Sequence, residues 1–170
     1  RLYNVFLFTA ALVAVPFYGS KMFLTGKYRK SIGPKFGRIP GDIVSRLHEA
    51  GTPRIWLHAV SVGEVTAAAP IVAALRSRFP GAGFILSTST ETGQEMARNL
   101  VNDATAHIYY PIDIPCIVRK VLDRVRPDVF VPVETELWPN FIRICRERGV
   151  RVVMANGRIS PRSFRGYRAT

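Results

Sequence analysis

Several carboxylates and hydroxyls of this chain directly follow apolar runs, a placement in which they could bind a substrate or accept a proton. Glu64 ends the segment HAVSVGE at 58–64, in which an apolar run passes through small residues into the expected start of a helix. A glutamate there could accept the proton of a substrate hydroxyl, because parallel sheets bind ligands above the carboxyl ends of their strands. It could instead complement the dipole of the following helix. The residues around Glu64 leave both interpretations open.

Hydroxyl groups dominate a second segment, Thr88-Ser89-Thr90-Glu91-Thr92-Gly93, which leads into another expected helix. A helix amino terminus carries free N–H groups and suits an anion. Ser and Thr are also the usual helix caps, and for any single hydroxyl we favour that interpretation. A third polar segment, 110–113, contains Asp113.

Two carboxylates beside a tryptophan form the cluster that is hardest to explain as structure alone. Glu134, Glu136 and Trp138 lie in the segment ETELWPN at 134–140. Carboxylates accept hydrogen bonds from sugar hydroxyls and an indole offers an apolar face, so this segment favours a polyhydroxylated substrate. Either carboxylate alone could equally complement a helix dipole. Arg158, in the last polar segment, could pair with them or bind a substrate carboxylate or phosphate.

These side chains need a scaffold that brings several strand ends together. Near-continuously apolar strands, each followed by a helix, indicate an α/β fold, a Rossmann-like parallel sheet with helices on both faces. The pattern predicts strands at 54–60, 83–88, 106–110, 128–133 and 151–155, and helices at 42–50, 65–78, 92–101, 115–126 and 138–148. GxGxxG is missing after the first strand and no P-loop is present, which disfavours a dinucleotide site.

The positive charge of the chain is concentrated at its two ends. Of the net charge of +12 over 170 residues, segment 1–38 carries +7 with no acidic residue, and segment 143–170 carries +7. The middle, 39–142, carries −2. Basic ends suit an anionic surface, either phosphate-bearing lipid or nucleic acid. The middle strands lack the mixed aromatic and basic residues of an RNA platform, so we rank membrane above nucleic acid and expect no nucleic-acid partner.

The two cysteines, Cys116 and Cys145, are far apart, and neither has a CxxC pattern or a histidine at ligand spacing. We therefore expect reduced cysteines, as is usual in a cytosolic domain. On the same grounds we expect no metal site and no cofactor.

The amino-terminal segment predicts a membrane anchor. Residues 5–24 are about long enough to span a bilayer as a helix, although Pro16, Gly19 and Lys21 also allow a tilted or interfacial anchor. Basic residues follow it, and the positive-inside rule then places the rest of the chain in the cytoplasm. A buried core helix is the less favoured alternative. We divide the chain into an anchor at 1–26, a basic linker or clamp at 27–41 and a domain at 42–170.

Five motifs resemble, in order and spacing, the amino-terminal domain of the 3-deoxy-D-manno-octulosonic acid (Kdo) transferase family. They are HAVSVGE at 58–64, TSTETG at 88–93, YYPID at 109–113, ETELWPN at 134–140 and NGRIS at 156–160. The likeness covers essentially the whole chain, and HAVSVGE together with ETELWPN is highly specific. The resemblance implies the amino-terminal half of a GT-B glycosyltransferase, in which two Rossmann-like domains face each other across a cleft.

The resemblance also implies an activity: inverting transfer of Kdo from CMP-Kdo to a lipid A precursor, in lipopolysaccharide biosynthesis at the cytoplasmic face of the inner membrane. Glu64 would be the general base, and Glu134 would lie near it as a base or an orienting group. The candidate substrate-binding residues are Ser61, Gly63, Thr88, Ser89, Thr90, Thr92, Gly93, Glu134, Glu136, Trp138, Asn140 and Arg158.

The chain departs from the family in length, because the family's enzyme is about twice as long and its carboxyl-terminal domain binds most of the nucleotide sugar. We therefore expect residues 1–170 alone to hold the acceptor and the base without turning over. Two alternatives stay open. One is another GT-B enzyme of envelope synthesis that uses a different nucleotide sugar, and the other is a non-catalytic, membrane-tethered binding module.

Overall fold

A computed structural model of the chain describes residues 29–157, together with Tyr3, Leu7 and Thr9. The predicted anchor and Arg158 lie outside the described residues, apart from those three positions. Within the described part, no helix is both long and apolar enough to cross a bilayer.

The described chain alternates strands and helices after two short initial helices. The strands are β1 (Arg54–His58), β2 (Gly83–Thr88), β3 (Ala106–Tyr109), β4 (Val129–Pro132) and β5 (Arg151–Val152). The helices are α1 (Arg29–Lys35), α2 (Gly41–Glu49), α3 (Val62–Arg78), α4 (Glu91–Leu100), α5 (Pro115–Val125) and α6 (Pro139–Glu147).

The five strands form one parallel sheet in the order β3-β2-β1-β4-β5. This is the order in which a doubly wound sheet is built outward from its first strand. The chain passes from β1 through β2 to β3 on one side, and then crosses to β4 on the other side of β1. The central strand β1 and its neighbour β4 therefore come from different halves of the described chain.

Apolar side chains cover both faces of the sheet, as its continuous apolar strands require. On one face, Val65 and Val72 of α3 and Ala97 of α4 pack with Leu57 and Leu86 of the sheet. The other face carries an aromatic cluster in which Trp56 lies 5.2 Å from Phe141 and 5.7 Å from Phe130, between ring centroids. Helices α2, α5 and α6 supply the rest of that second core.

The observed architecture confirms the predicted α/β class, the parallel sheet and all five strands. The largest boundary differences, of three residues each, are in one helix and one strand. Helix α3 begins at Val62, three residues before the predicted start, because Ser61 is its cap. Strand β5 contains only two residues, although an isolated bridge between Val133 and Ala155 continues its direction.

The segment predicted as a linker or clamp contains the helix α1 and lies against the sheet domain. The N–H of Ile112 donates to the carbonyl of Lys35 at 3.0 Å, and Ile39 is buried in the second core. Gly37 has a φ of 80°, and a Cβ there would lie 3.2 Å from a methyl of Val121, so glycine permits the close approach. These contacts favour the clamp interpretation, and the domain limits at 26 and 41 stay predictions.

Candidate functional site

The carboxyl ends of β1 and β4 lie side by side at the centre of the sheet, where His58 pairs with Pro132. The chain leaves these two strands toward opposite sides of the sheet, and such a switch point opens a crevice above the strand ends. Glu64 follows β1, and Glu134 and Glu136 follow β4. The two segments with candidate carboxylates therefore meet at the position where an open α/β sheet binds its ligand.

Glu64 is the third residue of α3 and forms a capping box with Ser61. The Ser61 hydroxyl donates to Oε1 of Glu64 at 3.0 Å and accepts the N–H of Glu64 at 3.4 Å. The N–H of Val60 donates to Oε2 of Glu64 at 2.7 Å. Glu64 therefore caps the start of α3 in the structure. Because a carboxylate has about four lone-pair positions, these two bonds leave capacity to accept from a substrate hydroxyl.

Glu136 is half-buried and lies within electrostatic reach of the other two carboxylates. Burial raises the pKa of Glu136, and the charges of Glu64 and Glu134 raise it further, whereas a hydrogen bond from Trp138 acts in the opposite direction. In that bond the indole N–H of Trp138 donates to Oε2 at 2.9 Å. The charges of Glu64 and Glu134 act on Glu136, which indicates that the three carboxylates lie near one another at this edge of the sheet.

Glu134 adopts a left-handed backbone conformation, with a φ of 63°. Its N–H donates to the carbonyl of Ala155 at 2.9 Å, which ties the turn after β4 to the segment after β5. A residue other than glycine in this region carries strain, and such strain is concentrated at functional sites. The strained backbone of this turn therefore fixes the position from which the Glu134 side chain extends.

Asp113 caps α6 from a neighbouring loop. Trp138 occupies the N-cap position of α6 and its side chain makes no cap bond. The carboxylate of Asp113 instead accepts the N–H groups of Asn140 at 3.0 Å and Phe141 at 2.7 Å. Its Oδ2 also accepts the hydroxyl of Tyr3 at 2.8 Å. Burial raises the pKa of Asp113, while these hydrogen bonds oppose the rise.

The hydroxyl-rich turn after β2 is built largely as a helix cap. The N–H of Gly93 donates to Thr90 Oγ1 at 3.0 Å, and buried Thr88 donates to the side chain of Gln94 at 2.6 Å. A Cβ at Gly93 would lie 2.8 Å from Thr90 Oγ1 and 3.4 Å from the carbonyl of Val60. Glycine therefore lets this turn pack against the turn that carries Glu64.

Most of the chain matches a family of known proteins. The sequence profile of the family described as 3-deoxy-D-manno-octulosonic-acid transferase (kdotransferase) matches residues 30–170. The chain belongs to the Kdo transferase family.

Curated relatives in the Kdo transferase family cover nearly the whole chain. The 3-deoxy-D-manno-octulosonic acid transferase of Chlamydia trachomatis is 31% identical over 168 residues, which are 98% of this chain and 38% of the relative. The transferase of the same name from Haemophilus influenzae is 39% identical over 113 residues, which are 66% of this chain and 26% of the relative. This chain thus spans well under half the length of these Kdo transferases.

The chain is also similar to a probable mitochondrial 3-deoxy-D-manno-octulosonic acid transferase of Arabidopsis thaliana. It is 30% identical over 113 residues, which are 66% of this chain and 25% of the relative.

The structure brings most of the candidate residues of this Kdo transferase domain to the carboxyl edge of the sheet. Those after β1 and β4 share the central crevice, and those after β2 lie in the neighbouring turn. Thr88 and Asn140 are buried, and Asn140 donates from its side chain to the carbonyl of Asp113 at 2.7 Å. These two side chains have structural partners, so we leave them out of the groups expected to contact substrate.

Asp113 is the residue whose importance the sequence did not reveal, although its segment was recognised as polar. The available signal was the missing cap of α6. Trp138 and Pro139 open that helix, and neither side chain provides an acceptor for its first N–H groups. An acceptor from elsewhere in the chain was therefore required, and Asp113 supplies it from 27 residues away.

Proposed function

We propose that this chain is the acceptor-side domain of an inverting Kdo transferase, which moves Kdo from CMP-Kdo to a lipid A precursor. The observation that carries the proposal is the meeting of Glu64, Glu134 and Glu136 at the β1–β4 switch point. The family match and the names of the relatives support Kdo as the transferred sugar.

In the proposed reaction, Glu64 takes the proton of an acceptor hydroxyl as that oxygen attacks the anomeric carbon of Kdo. The bond from this carbon to the phosphate oxygen of CMP breaks at the same time, and CMP leaves with the electron pair. A single displacement of this kind inverts the anomeric configuration and needs a base on the acceptor side but no covalent nucleophile. The location of Glu64 above the sheet and its spare lone pairs support that role.

Glu134 and Glu136 are proposed to orient the acceptor, since carboxylates accept hydrogen bonds from sugar hydroxyls. Three carboxylates in one crevice would repel a negatively charged group and favour a neutral, hydroxyl-bearing one. We therefore assign the crevice to acceptor hydroxyls, and the phosphates of a lipid A precursor to basic residues outside it. The basic ends of the chain, including Arg158, are the source of such residues.

The donor is proposed to be bound mainly by a second, carboxyl-terminal domain, and the amino-terminal segment is proposed to hold the protein at the cytoplasmic face of the inner membrane. The basic amino-terminal 38 residues support membrane attachment by attraction to anionic lipid. The leaving CMP would be stabilised by protein dipoles and cations.

The test is a transfer assay on this chain joined at Thr170 to the carboxyl-terminal part of the Haemophilus influenzae transferase. We expect release of CMP from CMP-Kdo that depends on a lipid A precursor. Release of UDP from a UDP-sugar, with CMP-Kdo untouched, would contradict Kdo transfer and favour another envelope glycosyltransferase.

A further inference from the structure

Two buried rings that stack on each other near the carboxyl ends of β1 and β3 each carry a polar atom without a partner. The rings of His58 and Tyr110 stack with their centroids 3.8 Å apart and an interplanar angle of 14°. His58 is 0% and Tyr110 5% exposed. Among the described residues, neither Nε2 of His58 nor the hydroxyl of Tyr110 has a hydrogen-bond partner. Buried polar atoms are nearly always satisfied, so two adjacent exceptions call for a ligand.

The contacts of His58 decide what its free nitrogen needs. Nδ1 lies 3.1 Å from the carbonyl of Ser87, which only accepts, and 3.0 Å from the Ser87 hydroxyl, whose own hydrogen is donated to the carbonyl of Leu57 at 3.3 Å, so Nδ1 carries the proton. Burial lowers the pKa of His58 to about 3, against the effect of the Ser87 hydrogen bond, and the ring is neutral at physiological pH. Nε2 is therefore a bare lone pair, and the group bound to it must donate a hydrogen.

The hydroxyl of Tyr110 has the complementary requirement. Burial raises the pKa of Tyr110 well above its ordinary value, and the charge of Asp113 adds to the rise, so the hydroxyl keeps its proton. It can donate that proton to an acceptor, and its oxygen can also accept a hydrogen bond. A water molecule donates and accepts at once, and it bridges partners that are about 4–5 Å apart, farther than a direct hydrogen bond reaches.

We propose that one ordered water is bound between Nε2 of His58 and the hydroxyl of Tyr110, beneath the carboxylate crevice. The water would donate to the imidazole and accept from the phenol. The Tyr110 ring also lies 4.9 Å from Phe141 and 6.3 Å from Trp138, between centroids. The bridge would thus join the end of β1 to the residue after β3, and the Tyr110 ring in turn packs against the start of α6. It does not depend on whether the chain transfers sugar.

The first test compares Tyr110→Phe with Tyr109→Phe, a matched control because Tyr109 is the neighbouring, half-exposed tyrosine. If water bridges Tyr110 and His58, removing the Tyr110 hydroxyl leaves the water and the imidazole poorly satisfied. We expect the thermal midpoint to fall by about 2–4 °C in Tyr110→Phe and to stay unchanged in Tyr109→Phe. An unchanged or higher midpoint in Tyr110→Phe would overturn the proposal, because removing a truly unpartnered hydroxyl relieves a penalty.

The second test uses the unaltered chain and remains decisive if Tyr110→Phe does not fold. Rotating-frame NMR should show a cross-peak between a long-lived water and the Tyr110 hydroxyl or the His58 ring. Nitrogen-15 spectra should show a His58 ring protonated at Nδ1, with its Nε2 accepting a hydrogen bond. Absence of the water cross-peak, or a ring protonated at Nε2, would refute the proposed site.

Discussion

At the scale of single residues, each of the three crevice carboxylates has a different structural constraint. Glu64 is tied into a helix cap, Glu134 starts from a left-handed backbone, and Glu136 is bound by Trp138. Each arrangement restricts a carboxylate: Glu64 and Glu136 are held by hydrogen bonds, and Glu134 extends from a strained backbone. Fixed carboxylates are what an acceptor site requires, because a sugar hydroxyl must be held in line with the carbon that it attacks.

Glu136→Gln should stabilise the protein at neutral pH. The raised pKa of Glu136 means that the folded protein binds this proton more tightly than the unfolded chain does. Its stabilising contribution is therefore complete below the ordinary glutamate pKa and is lost as the pH rises through the folded value. Glutamine removes the charge and keeps an oxygen for Trp138, so we expect a higher thermal midpoint at pH 7 and a difference that vanishes below about pH 4.

The control for Glu136→Gln is Glu49→Gln at the exposed end of α2, where we expect no change at either pH. A lower midpoint of Glu136→Gln at pH 7 would show that Glu136 is stabilised as a charge, contrary to this account.

Glu134→Gly should stabilise the fold and weaken acceptor binding. Glycine adopts a φ of 63° without strain, so we expect a gain of about 1 kcal/mol in the free energy of unfolding. Loss of the carboxylate should weaken acceptor binding measured by calorimetry. Arg126→Gly is the matched control, because Arg126 has a φ of 48° at the end of α5 and should gain stability with unchanged binding. Full acceptor affinity in Glu134→Gly would remove Glu134 from the site.

At the scale of elements, the sequence predicted the helices and strands well because their signals are local. Apolar runs of strand length, Pro115 at a helix start and Gly149 after a helix end each act within a few residues. The neighbours of each strand could not be predicted in the same way. That β4 lies beside β1 follows from a crossover that spans the chain, and only this pairing brings Glu136 near Glu64.

The helix cap from Asp113 is another feature that local sequence signals could not provide. Asp113→Ala should destabilise the fold by about 1–3 kcal/mol, because it leaves the N–H groups of Asn140 and Phe141 buried without an acceptor. Urea unfolding would measure the change. Asp42→Ala, at an exposed position in the first turn of α2, should cost less than about 0.5 kcal/mol. Equal losses in the two variants would contradict the capping role.

At the scale of the whole molecule, charge divides the chain into a near-neutral middle and two basic ends, and we propose different partners for them. The middle segment, 39–142, is near neutral and carries the three carboxylates, while the basic residues are concentrated in 1–38 and in 143–170, which includes the end of α6 and β5. Most residues of the two ends lie outside the described part of the chain, so the proposal of a membrane partner for the ends rests on their composition. The sequence supports a membrane partner for them, and the structure adds that α1 connects the basic amino-terminal segment to the sheet domain.

Binding of this chain to vesicles of anionic lipid should depend on the basic amino-terminal segment. We expect the triple change of Lys27, Arg29 and Lys30 to Gln to weaken binding by about 100-fold in sedimentation assays, since each basic residue near the surface contributes about 1 kcal/mol. Raising the salt should weaken binding of the unaltered chain. The same change at Arg78, Arg98 and Lys120 of the middle segment is the control. Equal effects of the two triple variants would argue against attachment through the amino terminus.

The most direct test of the central claim is the effect of Glu64→Gln on Kdo transfer by the chain fused at Thr170 to the carboxyl-terminal part of the Haemophilus influenzae transferase. Glutamine keeps an oxygen for the bond from the N–H of Val60 and can donate to Ser61 Oγ through its amide, but it accepts no proton. We expect the transfer rate to fall by about 10²–10⁴-fold, with acceptor affinity nearly unchanged. A transfer rate close to that of the unaltered fusion would show that Glu64 serves only as a helix cap, and would contradict its assignment as the general base.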